Sequence, residues 1–138
     1  MSWKTINLKD VPTQPPVVPV GKYTFELTPG AKYNEAGALL AAGRIASDGE
    51  FTGRLVFFSY PDPESIDRGG KPNTWSATAL KRLEVALGVD QQEGEDMAEF
   101  LNRAAGNKFG AKVTHSPVTD EYPTPRVSIG LFSVEPAA

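Results

Sequence analysis

The chain has 138 residues, is 40% hydrophobic and 22% charged, and carries a formal net charge of −3 without a single cysteine. This length favours one domain with a core of its own. The lack of cysteine excludes disulfides and thiolate metal sites, and the low net charge excludes the strongly basic composition of proteins that grip duplex DNA. The charge is unevenly distributed: Asp90, Glu93, Glu95, Asp96 and Glu99 form an acidic block with no base inside it, and setting those five charges aside leaves +2. That block reads as a solvated face or, less simply, as a recruiting surface for partner proteins.

Residues 1–19 read as an arm. Met1 to Asp10 lacks the apolar stretch of a signal peptide, and no run is long enough to span a bilayer, so a cytoplasmic location without membrane contact is expected. "VPTQPPVVPV" is proline-rich and predicts an extended segment, since each proline fixes φ and lacks a donor. Residues 20–135 form the predicted domain. In "VGKYTFELTPG", Tyr23, Phe25 and Leu27 alternate with Lys22, Thr24 and Glu26, the period of a half-buried strand. Pro29-Gly30 ends it, and "AKYNEAG" reads as a loop with Tyr33 near its tip. A second strand, "ALLAAGRIAS", meets a third, "FTGRLVFFSY", across an Asp-Gly hairpin signal. Gly43 and Gly53 fall inside these strands, where glycine marks a bend, a bulge or a close backbone approach.

"PDPESIDRGGKPN" is a long connection that carries Lys71. Its carboxylates Asp62, Glu64 and Asp67 lack the twelve-residue calcium pattern. "TWSATALKRLEVALG" predicts a helix capped by Asn73 or Thr74 and stopped by Gly88, with Leu80, Leu83 and Leu87 on one face. Trp75 at its start reads as a core or staple residue. A second helix spans roughly 95–105, its acidic first turn suiting the positive end of the helix dipole. "NKFGAKVTHS" predicts a fourth strand with Phe109, Ala111 and Val113 inward and Lys108 and Lys112 outward. The last strand, "RVSIGLFSVE", has Val127, Ile129 and Leu131 inward and Arg126 outward.

Three strands, helices, then two strands is the order of a mainly β five-stranded OB-fold, a Greek-key barrel with a helical insert between strands 3 and 4. Inward alternation puts Phe51, Leu55 and Phe57 inside and turns Thr52, Arg54, Val56, Phe58 and Tyr60 outward. The expected outer set is therefore Arg44, Arg54, Lys108, Lys112 and Arg126, with Phe58 and Tyr60 among them and Tyr33 and Lys71 extending it. Cations that track phosphates beside aromatics that stack bases are what a single-strand groove requires. The same arginines on a plain barrel would be solubilising charges or protection for an edge strand.

"GKYTFEL", "DGEFTGRLVF", "LKRLEVALG" and "NKFGAKV", taken together over residues 17–135, resemble phage-encoded single-stranded DNA-binding proteins. The resemblance implies an OB-fold that binds single-stranded DNA in replication or recombination, with Arg44, Arg54, Phe58, Lys108 and Lys112 at the DNA. The sequence departs from that pattern at "SVEPAA", which is not an acidic tail. Catalysis is not expected: His115 is the lone histidine, and neither a nucleophile elbow nor a phosphate loop is present. No cofactor is expected. Single-stranded DNA is the expected partner, with replication or recombination proteins and a homodimer through edge strands or the arm as further partners. Two other readings stay open, a phage protein-interaction or virion component that uses the barrel as a scaffold, and an RNA-binding module.

Overall fold

The computed structural model describes residues 7–10, 17–116, 120 and 125–137. Of the expected arm, residues 7–10, with a 3₁₀ turn at Leu8–Asp10, and 17–19 are described, while the proline-rich stretch 11–16 lies outside the described residues. The domain is one antiparallel seven-stranded sheet with two helices. Its strands are β1 (Gly21–Leu27), β2 (Lys32–Tyr33), β3 (Leu39–Ile45), β4 (Leu55–Tyr60), β5 (Lys108–His115), β6 (Val127–Ile129) and β7 (Glu135–Pro136), with α1 (Trp75–Leu87) and α2 (Met97–Ala104) between β4 and β5.

Strand β1 is the centre of the sheet. It pairs with β3 on one side (Phe25 opposite Ile45) and with β5 on the other (Phe25 opposite Phe109). β4 extends the sheet beyond β3, and β6 and β7 extend it beyond β5. The sheet curls until β4 meets β6, where the Ser128 hydroxyl donates to the Phe57 carbonyl at 3.3 Å. Among the described residues β4 and β6 share no ladder, so hydrogen bonding does not close the sheet into a barrel.

The core follows from the inward rows. Phe25 and Phe109 stack with centroids 5.6 Å apart, and the edge of Phe58 meets Phe109 at 6.2 Å. Gly43 makes room for this cluster: a Cβ there would lie 3.2 Å from Phe25 Cβ and 3.3 Å from Phe109 Cζ. The strand glycine is therefore a close-approach position, one of the three roles the sequence left open for it.

Both helices form where the sequence signals them, but the expected cap of α1 by Asn73 or Thr74 does not: Thr74 at the N-cap makes no side-chain capping bond. α1 ends at Gly88, whose left-handed φ of 69° lets its N–H reach the carbonyls of Glu84 and Val85. It buries Ala79, Leu83 and Leu87 against the sheet, with Leu80 half-buried. α2 is capped by Asp96, whose carboxylate accepts from the Ala98 N–H at 3.0 Å. Asn102 ties α2 to the sheet, accepting from the N–H groups of Gly30 and Ala31 and donating to the Ala31 carbonyl. Trp75 is not a core residue: it stays partly exposed, tilts against Phe132 at 6.0 Å and donates its ring N–H to Asn73.

Two additions bring the expected five strands to seven. The loop after Gly30 contributes β2, which pairs with Leu39 and Leu40. The run 126–135 is not one strand, because the Ser133 hydroxyl donates to the Gly130 carbonyl at 2.5 Å and the chain turns through a short 3₁₀ segment, Leu131–Ser133. β7 then rejoins β5 beside Gly110.

Candidate nucleic-acid interface

The β3–β4 hairpin does not turn on two residues. Its loop runs from Ala46 to Thr52, braced by the Thr52 hydroxyl on the carbonyls of Ser47 (2.7 Å) and Gly49 (3.0 Å). The Gly53 N–H donates to the Ile45 carbonyl at 2.8 Å, and the Ile45 N–H donates to the Arg54 carbonyl at 2.9 Å. Two residues thus oppose one, and Gly53 has φ +89°. This is a β-bulge with glycine in the left-handed position.

The bulge shifts the alternation of β4 by one residue. Val56, Phe58 and Tyr60 point inward, while Leu55, Phe57 and Ser59 point outward. The expected outward placement of Val56, Phe58 and Tyr60, and the expected inward placement of Leu55 and Phe57, are both corrected here. Phe58 is 5% and Tyr60 2% exposed, and they pack edge to face at 5.8 Å in the core. Phe57 is 66% exposed and is the aromatic that the outer face presents.

Phe57 stands in a groove of about 480 Å³ between β3–β4 and the β5–β6 end, with Leu40, Ser59, His115, Arg126 and Ser128 around it. Arg126 sits at its edge, its backbone fixed by Ser116 through the pairs Ser116 N–H to Arg126 carbonyl (2.9 Å) and Arg126 N–H to Ser116 hydroxyl (3.1 Å). His115 reaches the Val18 carbonyl through Nε2 at 2.6 Å, which fastens the end of the arm to this edge. Leu55 and Arg44 form the neighbouring outer row of the hairpin.

The other expected cations divide into groups. Arg44, Glu26 and Lys108 are register partners across β3, β1 and β5, so an acid lies between two bases on the outer face. Lys112 is exposed opposite Lys22, and Lys22 pairs with Glu135 at 2.7 Å. Arg54 is half-buried at the bulge with its guanidinium 5.9 Å from the Phe51 ring centroid. Lys71 is exposed in the 61–73 connection, where Asp67 accepts the N–H groups of Gly69 and Lys71.

Tyr33 belongs elsewhere. Its hydroxyl donates to Asp96 at 2.7 Å and accepts from the Ala98 N–H at 3.3 Å, which fixes it to the start of α2. Partial burial, then the Asp96 bond, raise its pKa. Sequence alternation missed Phe57, Leu55 and Leu40; the signal that could have found them is Gly53, read as a bulge rather than as an ordinary strand residue.

Two of the acidic residues have structural partners. Glu95 holds Arg103 through two hydrogen bonds of 2.7 and 2.8 Å, and this drives its carboxyl pKa down to about 2. Asp96 caps α2. Among the described residues no three His, Asp or Glu side chains are grouped to hold a metal, and no helix is long and apolar enough to cross a membrane. Comparison with family models, with curated proteins and with solved structures gives no match.

Proposed function

We propose that the protein binds single-stranded DNA with weak sequence preference and without catalysis, through the outer face of the β3–β4 hairpin. The observation that carries this reading is Phe57: a large aromatic, 66% exposed, in a groove that also holds Arg126. An exposed ring on a strand face offers a stacking surface to any base, and neighbouring cations draw in the phosphates. Arg44 and Leu55 continue the same face.

Strand order supports the reading. β1 lies between β3 and β5, β4 beyond β3, β6 beyond β5, and the helices fall between β4 and β5. That is the order of an OB barrel, a partly open Greek key that takes oligonucleotides on its second and third strands and flanking loops. In such a barrel β3 and β4 would hold those positions, and Arg126 immediately precedes β6. The modest charge fits a single strand better than a duplex.

Fluorescence anisotropy tests it, with labelled oligo-dT of about thirty nucleotides, the matching duplex and oligo-rU, each at low and high salt. The expected result is binding to dT, weaker binding to duplex, and loss with salt. Equal binding of rU would make the ligand single strands of either sugar. No binding to any of them at micromolar protein and low salt refutes the proposal and leaves the hairpin as a surface for a protein partner.

A further inference from the structure

Tyr33, Phe57, Trp75 and Phe132 are the exposed aromatic residues among the described ones. Tyr33 is held at the start of α2 by Asp96. The other three lie along one seam. β4 pairs antiparallel with β3 and β6 with β5, and both β3 and β5 are antiparallel to β1, so β4 and β6 run in the same direction. They touch where the Ser128 hydroxyl donates to the Phe57 carbonyl. Just past the end of β4 the Pro61 carbonyl accepts the Ser76 hydroxyl at 2.8 Å, which brings in the first turn of α1. Just past the end of β6 comes Phe132 in its 3₁₀ segment. At this level the two sides meet again, Trp75 against Phe132 with ring centroids 6.0 Å apart. The path from Phe57 to Pro61 is about 13 Å of extended chain.

The Trp75–Phe132 pair is not a buried contact. Trp75 stays 39% and Phe132 50% exposed, whereas the core rings Phe25, Phe58 and Phe109 are at most 5% exposed. The Trp75 ring N–H donates to Asn73 at 3.2 Å, which fixes the ring in place. Arg82 lies two turns along α1 on the same face as Trp75. It is exposed and makes no ion pair among the described residues. Lys71, in the connection leading into α1, is exposed and equally unpaired. Two of the three acids in that connection are engaged by its own backbone, Asp62 by the Glu64 N–H and Asp67 by those of Gly69 and Lys71.

We propose that Trp75 and Phe132 form a second stacking platform for the same single strand, which follows the β4–β6 seam from Phe57 while Arg82 and Lys71 draw in its phosphates. The inference rests on the reading of the hairpin as a single-strand surface. Fixed, half-exposed rings beside unpaired cations suit a ligand that is both aromatic and anionic. A stacked strand rises about 3.4 Å per nucleotide, so the path corresponds to roughly four nucleotides. Sites on OB-type folds begin at about that size.

The chain has two tryptophans, Trp3 and Trp75, so Trp3→Phe leaves the Trp75 emission as a reporter. Oligo-dT of about twelve nucleotides is titrated into that variant, with anisotropy of the labelled oligonucleotide read in parallel. Saturable quenching over the same concentrations as the anisotropy rise is expected. Phe132→Ala should raise Kd about fivefold or more. Arg82→Ala should reduce the slope of log K against log salt by about 0.7. Circular dichroism should be unchanged in both. No anisotropy change with oligo-dT overturns this inference together with the reading of the hairpin. Binding that weakens in Phe57→Ala, with Trp75 unquenched and Phe132→Ala at parental affinity, overturns the second platform alone. Quenching that persists at parental affinity in Phe57→Ala would seat the strand on the helix side only and overturn the shared path.

Discussion

Phe57 and Phe58 are adjacent in sequence and opposite in environment, so the pair separates binding from folding. Phe58 is 5% exposed and touches Tyr60 and Phe109 through edge contacts at 5.8 and 6.2 Å. Truncation to alanine leaves a cavity in a packed core and should cost about 3–5 kcal/mol of stability. Phe57 is 66% exposed, and its truncation should change stability by no more than about 0.5 kcal/mol. If bases stack on Phe57, the same truncation should remove about 1–3 kcal/mol of binding, roughly a 5- to 140-fold rise in Kd for oligo-dT. Urea denaturation and anisotropy at one salt concentration measure the two quantities on each variant. The expected pattern is crossed: Phe57→Ala folds like the parent and binds poorly, while Phe58→Ala is destabilised and, where still folded, binds like the parent. A Phe57→Ala variant with parental affinity would refute the stacking role. A Phe58→Ala variant with parental stability would refute the bulge-shifted alternation itself.

Arg44→Ala should weaken oligo-dT binding and reduce the slope of log K against log salt by about 0.7, one phosphate contact on a single strand; an unchanged slope would remove Arg44 from the interface. Gly43→Ala should destabilise the fold by about 1–3 kcal/mol in urea, because the added methyl meets Phe25 and Phe109 at 3.2–3.3 Å. Tyr60→Phe should raise stability by about 1 kcal/mol, since it removes a buried hydroxyl that has no partner; a comparable loss instead would mean that the hydroxyl is satisfied. Glu95→Gln carries a pH signature. The Arg103 bonds lower the folded-state pKa to about 2, so their contribution is present above the ordinary carboxylate pKa and disappears as pH falls toward 2. Melting curves of parent and Glu95→Gln should differ at pH 7 and converge near pH 2, and a gap of equal size at both values would show that the Glu95–Arg103 charge pair is not its source.

Much of the fold was legible because local chemistry dictated it. Alternation of Tyr23, Phe25 and Leu27 marked β1, and the same period placed Phe109, Ala111 and Val113 inside β5 and left Lys108 and Lys112 outside. Gly88 ended α1 because a left-handed residue was needed there, and the acidic turn before α2 supplied its cap in Asp96. These features rest on one residue and its near neighbours, which a sequence displays directly.

The candidate site was less legible, because its key feature depends on how two strands are paired. Strict alternation through "FTGRLVFFSY" turns Phe58 and Tyr60 outward, and nothing within that stretch distinguishes a glycine in a regular strand from a glycine in a bulge. Only the pairing of Ile45 with both Gly53 and Arg54 decides it, and one extra residue moves each later side chain to the opposite face. Tyr33 shows the same limit: its sequence position suggested a loop tip near the hairpin, whereas α2 delivers Asp96 to its hydroxyl across more than sixty residues of chain. The sequence alone thus determined the main strands β1, β3, β4 and β5 and both helices, but not β2, β7 or the break after β6. Tertiary structure alone decided which aromatic ring reaches solvent and which cations share its face, since register and sheet curvature arise from contacts between segments and not within them.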